Sequence, residues 1–179
     1  MREIEVKARI PDMEALLGAL KNADIELSEP LKQHDRVFAL PGSADNAFDA
    51  NWLRIRIEDD TKTYFTLKRS VVGHLDSIEH ETVVEDAGQL ESIIALLGYE
   101  PYSELTKVRR KGRVGKIELC VDEVPGIGAY IEAEALHEAD ADHDVVVQEL
   151  WQLLESFGVT KDDEETRGYD VIERARRQA

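Results

Sequence analysis

Apolar and ionisable residues alternate along the first segment of the chain, Glu3-Ile4-Glu5-Val6-Lys7-Ala8-Arg9-Ile10. Read with a period of two, Ile4, Val6, Ala8 and Ile10 share one face of a strand, and Glu3, Glu5, Lys7 and Arg9 share the other. The period then changes. Pro11 opens a helix on which Met13, Leu16, Leu17 and Leu20 recur on one side, ending near Asn22. Mixed alternation returns at Leu31 to Leu40, and Pro41 to Asn46 is turn chemistry. A hairpin follows: Trp52 to Glu58, a turn at Asp59 to Lys62, and Tyr64 to Lys68. Ile78 to Val84 reads as a further strand.

The second helix spans Ala87 to Leu97, with Leu90, Ile93, Ile94 and Leu97 at helical spacing and Gly98 as its C-terminal glycine. Three strands come next, Glu104 to Arg110, Val114 to Glu123 and Ala129 to Ala135, with turns expected at Lys111-Gly112 and Pro125 to Gly128. A helix from Asp144 to Phe157 carries Val146, Leu150, Leu153 and Leu154 as its stripe, and a short helix spans Tyr169 to Arg177. No repeat, low-complexity tract or linker divides the chain, so a single domain over residues 1–179 is expected. The order of elements predicts an α+β domain with a large antiparallel sheet.

The charged positions of these strands form two sets. Lys7, Arg54, Arg56, Lys68, Lys107 and Arg109 make one, and Glu3, Glu5, Glu79, Glu81, Asp122, Glu132 and Glu134 the other. Within most of the strands the charged members are two apart and share a face. One wet face on an open sheet would account for a single such strand. Repetition through the chain favours a closed barrel, with apolar faces against helices outside and charged faces inside. Six cations together repel one another unless a polyanion lies among them. Clustered carboxylates call for cations, and oxygen-only ligand sets suit Mg²⁺ and Mn²⁺. Together these describe a triphosphate held by Lys and Arg and bridged by metal to carboxylates.

Composition narrows the classes. With 38 acidic and 22 basic residues the net charge is −16, which argues against a nucleic-acid surface even though Lys107 to Lys116 is locally basic. So acidic and lysine-poor a coat also suits a cytoplasm rich in salt. No apolar run reaches the ~20 residues of a membrane helix, and the acidic start does not resemble a secretory signal. Cys120 is the only cysteine, so no internal disulfide forms and a reducing cytoplasm is expected. By parity it lies on the charged face, as a small structural residue rather than a nucleophile. Gly126-Ile127-Gly128 is too short for a dinucleotide-binding fingerprint and reads as a tight turn.

These residues resemble a known family. Glu3-x-Glu5-x-Lys7 is similar to the E-x-E-x-K signature of the CYTH superfamily, the triphosphate tunnel metalloenzymes. The likeness continues in the family's order through Gln33-His34-Asp35-Arg36-Val37-Phe38, Leu53-Arg54-Ile55-Arg56, Thr66-Leu67-Lys68, Glu79-His80-Glu81, Lys107-Val108-Arg109, Val121-Asp122, Ile131 to Glu134 and Gly168-Tyr169-Asp170. Val37 stands where the family often has tyrosine, and Arg167-Gly168 replaces a serine before Tyr169. The resemblance implies an eight-stranded antiparallel β-barrel, the triphosphate tunnel, with flanking helices. It implies that Lys7, Arg54, Arg56, Lys68, Lys107 and Arg109 bind the triphosphate, with Lys7, Arg56 and Lys68 acting in catalysis. Glu3, Glu5, Asp122, Glu132 and Glu134 would hold Mg²⁺ or Mn²⁺. The spacing of Asp122, Pro125 to Tyr130 and Glu132 looks closest to the class IV adenylate cyclase branch, which converts ATP to cyclic AMP and pyrophosphate. Hydrolysis of thiamine triphosphate or inorganic tripolyphosphate needs the same clamp, and a non-catalytic polyphosphate-binding module is the reading from another class. Neither a nucleic-acid nor a membrane partner is expected, and a homodimer is compatible with the sequence.

Overall fold

Period-two alternation is realised as strand almost wherever it occurs. The computed structural model describes residues 2–43, 50–73 and 75–178; part of the expected Pro41 to Asn46 loop lies outside them. The strands are β1 (Arg2–Arg9), β2 (Leu31–Ala39), β3 (Asn51–Glu58), β4 (Lys62–Ser70), β5 (Asp76–Val84), β6 (Glu100–Val114), β7 (Ile117–Val124) and β8 (Gly128–His137). The helices are α1 (Met13–Asn22), α2 (Ala87–Leu96), α3 (His143–Ser156) and α4 (Tyr169–Gln178). All eight strands close into one antiparallel barrel in the order β1-β5-β4-β3-β2-β6-β7-β8. Closure leaves no unpaired sheet edge.

The chain groups into two compact units, Met1–Leu31 with Val108–Thr166, and Lys32–Lys107 with Arg167–Ala179. In the first, β1 pairs with β8 and β8 with β7, and one face of these strands is apolar: Ile4, Val6, Ala8, Leu119, Val121, Ile131, Ala133 and Ala135. Leu16 and Leu20 of α1 and Val146, Leu150, Trp151 and Leu154 of α3 belong to the same core. Each buried side chain of this size contributes about 1.5–3 kcal/mol. Both helices start at an aspartate whose carboxylate accepts from backbone amides of the first turn, Asp12 from Ala15 and Asp142 from Asp144 and Val145. Pro11 precedes the cap of α1 and so lies two positions before Met13, the first residue of the turn in which it was expected.

In the second unit, β2 to β5 pair in succession. Their apolar face is Phe38, Leu53 and Ile55 with Phe65 and Leu67, covered by Ile94 and Leu90 of α2.

The expected turn at Lys111-Gly112 is not there. Strand β6 runs straight through it to Val114, and Gly115, at φ +58°, makes the turn. Gly112 is a strand residue for a steric reason. Residues 25–28 lie against it, with Ser28 N bonded to Lys111 O at 2.7 Å and Lys111 N to Ser28 Oγ at 3.0 Å. A Cβ at position 112 would stand 3.0 Å from Leu27 Cδ2 and 3.1 Å from Ile25 Cγ2. Gly112→Ala is therefore expected to destabilise the chain by about 1–3 kcal/mol, measured by urea unfolding. Gly18→Ala, inside α1 where a Cβ meets nothing within 4 Å, should stabilise it by roughly 0.5–1 kcal/mol.

Candidate functional site

The face of each unit opposite its apolar core is built of ionisable residues brought together by strand register. In the first unit Glu5 lies opposite Glu134, which lies opposite Glu118. On the next rung Lys7 faces Glu132, Glu132 faces Cys120 and Cys120 faces Lys111. One rung further, Asp122 faces Arg109. Lys7, Arg109, Asp122 and Glu132 are all buried, Asp122 completely.

Arg109 organises one end of this face. Its Nε donates to Asp122 Oδ1 at 2.7 Å and its guanidinium NH2 to Asp122 Oδ2 at 2.5 Å, a two-pronged pair. The same NH2 group donates to Glu132, which lies 3.3 Å from Lys7 Nζ on its other side. Burial alone would depress the arginine's pKa, but Glu132 and Asp122 hold it well above its ordinary value, so the cation is permanent.

The other end is anionic. Glu3, Glu5 and Glu134 present carboxylate oxygens within 4.8 Å of one another, and Glu118, Cys120 and Glu134 form a second group on the same criterion. Burial, and next the charge of Glu3, push the Glu134 carboxyl well above the usual carboxylate range. Its neighbour Glu118 is lowered: burial works against this, and hydrogen bonds from Glu134 and Lys111 prevail. Three converging carboxyls, one of them resisting ionisation, fit a hard divalent cation, whose charge would replace the proton. Burial pushes the Cys120 thiol far up, so this cysteine is a small protonated filler, as expected from its parity.

The second unit repeats the theme with more cations. Arg56 donates from Nε and NH2 to the two oxygens of Asp35, both at 2.7 Å. Burial would raise the Asp35 carboxyl, but Arg56 outweighs it and holds the group below the usual carboxylate range. The NH2 group of Arg54 donates to Thr66 Oγ1 at 3.2 Å and lies 3.7 Å from Glu79 and 3.6 Å from Glu81. Lys68 is 2.9 Å from Glu79. The buried Lys107 ammonium sits 4.8 Å from the centre of the Tyr169 ring, contributed by α4.

Of the residues expected to hold metal, the structure gathers Glu3, Glu5 and Glu134. Asp122 and Glu132 do not join that group; they hold Arg109. All six expected phosphate ligands are on charged strand faces, Lys7 and Arg109 in the first unit and Arg54, Arg56, Lys68 and Lys107 in the second. Four contributors went without a role in the sequence. Asp35, two residues from Gln33 on the alternation of β2, fixes the Arg56 fork; Glu118 joins Glu134; and Glu79 and Glu81 neutralise Arg54 and Lys68. Period-two counting from Gln33 and Asp122 would have placed Asp35 and Glu118 on these faces.

A closed barrel of eight antiparallel strands with paired cations and carboxylates defines the class. The chain belongs to the CYTH domain family, whose profile it matches over residues 1–169. A Methanocaldococcus jannaschii protein, provisionally named an adenylate cyclase, is 25% identical over 166 residues, spanning 91% of this chain and 93% of that one. A Vibrio parahaemolyticus structure with the same provisional name superposes with a TM-score of 0.79 at 20% identity, covering 95% of this chain and 97% of the other. A third structure, from Hippeastrum, is described as a provisionally assigned adenylyl cyclase with a dominant triphosphatase activity. It has a TM-score of 0.59 at 22% identity and covers 94% and 91% of the two chains. No helix among the described residues is long and apolar enough to cross a membrane.

Proposed function

We propose that the protein is a cytoplasmic, divalent-metal-dependent enzyme acting on a small molecule that carries a triphosphate, and that its reaction is adenylate cyclisation, ATP to cyclic AMP and pyrophosphate. The observation that carries this reading is the division of the charged face of the first unit. Glu3, Glu5 and Glu134 converge at one end, and the buried cations Lys7 and Arg109 stand on the following rungs. Glu3, Glu5 and Glu134 would hold Mg²⁺ or Mn²⁺, with Asp122 and Glu132 setting the aim of Arg109 and Lys7. The ion would supply Lewis-acid stabilisation of charge on phosphate oxygens. Lys7, Arg54, Arg56, Lys68, Lys107 and Arg109 bind phosphate oxygens, and fixed cations of this kind favour a transition state in which charge moves onto the leaving phosphate. Asp35 and Asp122 keep two of those arginines preorganised, so less is lost in ordering them when substrate arrives. The 3′-hydroxyl oxygen forms the new bond to the α-phosphorus, its proton is released, and the bond to pyrophosphate breaks.

Hydrolysis is the second reading, favoured by the triphosphatase activity in the description of the Hippeastrum structure. Water would then replace the ribose hydroxyl, and thiamine triphosphate or tripolyphosphate could serve as substrate. The test is incubation of the purified chain with ATP, thiamine triphosphate and inorganic tripolyphosphate, each with Mg²⁺ or Mn²⁺, followed by product analysis. Cyclic AMP with pyrophosphate supports the first reading, and orthophosphate the second. Excess chelator is expected to abolish turnover, because oxygen ligands of this kind bind hard cations. Full turnover in chelator would overturn the metal dependence, and tight binding with no product would overturn the reading as an enzyme.

A further inference from the structure

Two buried polar atoms on the β2–β3 ladder have chemistry that the phosphate clamp does not use. Gln33 is only 1% exposed and shares the charged face with Asp35 and Arg56. Its Nε2 donates to Glu58 Oε1 at 2.8 Å. A carboxylate only accepts, so this bond fixes the amide: nitrogen toward Glu58, carbonyl oxygen turned away from it. That oxygen, Gln33 Oε1, is buried and has no hydrogen-bond partner among the described residues. Further along the same face, Arg54 Nε is a buried donor in the same condition.

The two orphans ask for opposite things. A phosphate oxygen answers Arg54. It cannot answer Gln33, because an ionised phosphate chain offers acceptors only, and a buried acceptor left without a donor is costly enough to be rare. The register sets the two well apart. Gln33 pairs with Glu58 and Val37 with Arg54, four residues along, or ~13 Å at ~3.3 Å per residue. A ligand meeting both has acceptors at one end and a donor group at a distance from them.

We propose that Gln33 is a specificity-determining residue: its carbonyl oxygen accepts a hydrogen bond from a hydroxyl or amino group on the organic part of the substrate. The site then selects a nucleoside triphosphate over inorganic tripolyphosphate. This rests on the reading of the charged faces as triphosphate-binding. A site built around a hydrogen bond to substrate discriminates against ligands that cannot supply it, because its own polar group is left unpaired.

The test compares ATP with inorganic tripolyphosphate, both in excess Mg²⁺, on the full chain. The dissociation constants are measured by calorimetry for the parent, Gln33→Leu and Gln33→Met. Both variants remove the acceptor and keep the volume close. The constant for ATP is expected to rise roughly tenfold in both variants. That for tripolyphosphate should stay within about twofold, and the ligand-free melting temperature should not fall. Equal weakening of both probes, no change in either, or a lower melting temperature with both probes weakened would overturn the proposal and make Gln33 a brace for Glu58. Arg54→Ala should weaken both probes together. If the parent chain binds neither probe, the triphosphate reading itself falls and takes this proposal with it, and that failure is seen before any variant is made.

Discussion

Arg109→Leu is expected to cost the folded chain about 3–5 kcal/mol at neutral pH, the scale of a buried ion pair that loses one partner. The guanidinium holds both oxygens of Asp122, which is fully buried, and one of Glu132, which is 4% exposed. Leucine fills much of the space but leaves the Asp122 carboxylate without its fork. The pH dependence has a definite sign. In the variant, Asp122 gains protons more easily folded than unfolded, so its penalty shrinks as pH falls toward the unfolded value of ~3.9 and is gone below it. Urea unfolding at pH 7 and near pH 4 should therefore show the gap between variant and parent narrowing in acid. Replacing Arg109 and Asp122 together by apolar residues of similar volume, with Glu132 left to pair with Lys7, should recover most of the loss, since a buried ion pair is often no more stabilising than a packed apolar one. A single variant as stable as the parent would mean that the triad is solvated and carries little of the fold.

Glu134→Gln separates metal binding from folding. In the metal-free chain the Glu134 carboxyl resists ionisation, because it is buried and Glu3 and Glu5 stand beside it. An amide of the same shape should leave stability unchanged or raise it. The gain should grow with pH, because a carboxyl whose folded pKa is raised destabilises the fold increasingly above its unfolded value. With Mg²⁺ or Mn²⁺ the order reverses. Binding the ion should stabilise the parent, and more so as pH rises and the competing proton leaves. In the variant the apparent metal affinity should fall by about 10–100-fold. Turnover should fall by ~100-fold, the scale of losing a group that stabilises transition-state charge. Glu14→Gln, on the exposed side of α1, serves as the control and should stay within a factor of about two. If the metal-induced shift in melting temperature survives in Glu134→Gln, the cluster of Glu3, Glu5 and Glu134 is not the metal site.

Much of this was legible because strands write their faces into the sequence with period two. Glu3, Glu5 and Lys7 share a face whatever they pair with, and so do Arg54 and Arg56. The helices were legible from their stripes, although in α3 Trp151 is only 2% exposed where the sequence pointed to Leu153. Partners were harder. That Glu5 meets Glu134 depends on β1 pairing with β8 in one register, joining residues more than a hundred positions apart. Asp122 and Glu132 stand out in the sequence as carboxylates, but their shared Arg109 partner does not. Only the paired strands show Arg109 between them. Gly112 was read as a turn because glycine in a polar hairpin usually is one; here it makes room for Ile25 and Leu27.

The long strand β6 carries Lys107, Arg109, Lys111 and Arg113 at every second position, with Val108, Arg110 and Gly112 between them. Its chemistry therefore behaves like a reading frame of two. A point substitution edits one letter and leaves the rest of the row in place. An insertion of a single residue before Lys107 shifts the frame, exchanging the charged row for the intervening one along the strand and sending Gly112 away from the segment it accommodates. A second inserted residue restores the frame. Length changes in this strand are thus sorted by parity before size, and related chains that keep the chemistry can differ here by even steps far more readily than by odd ones.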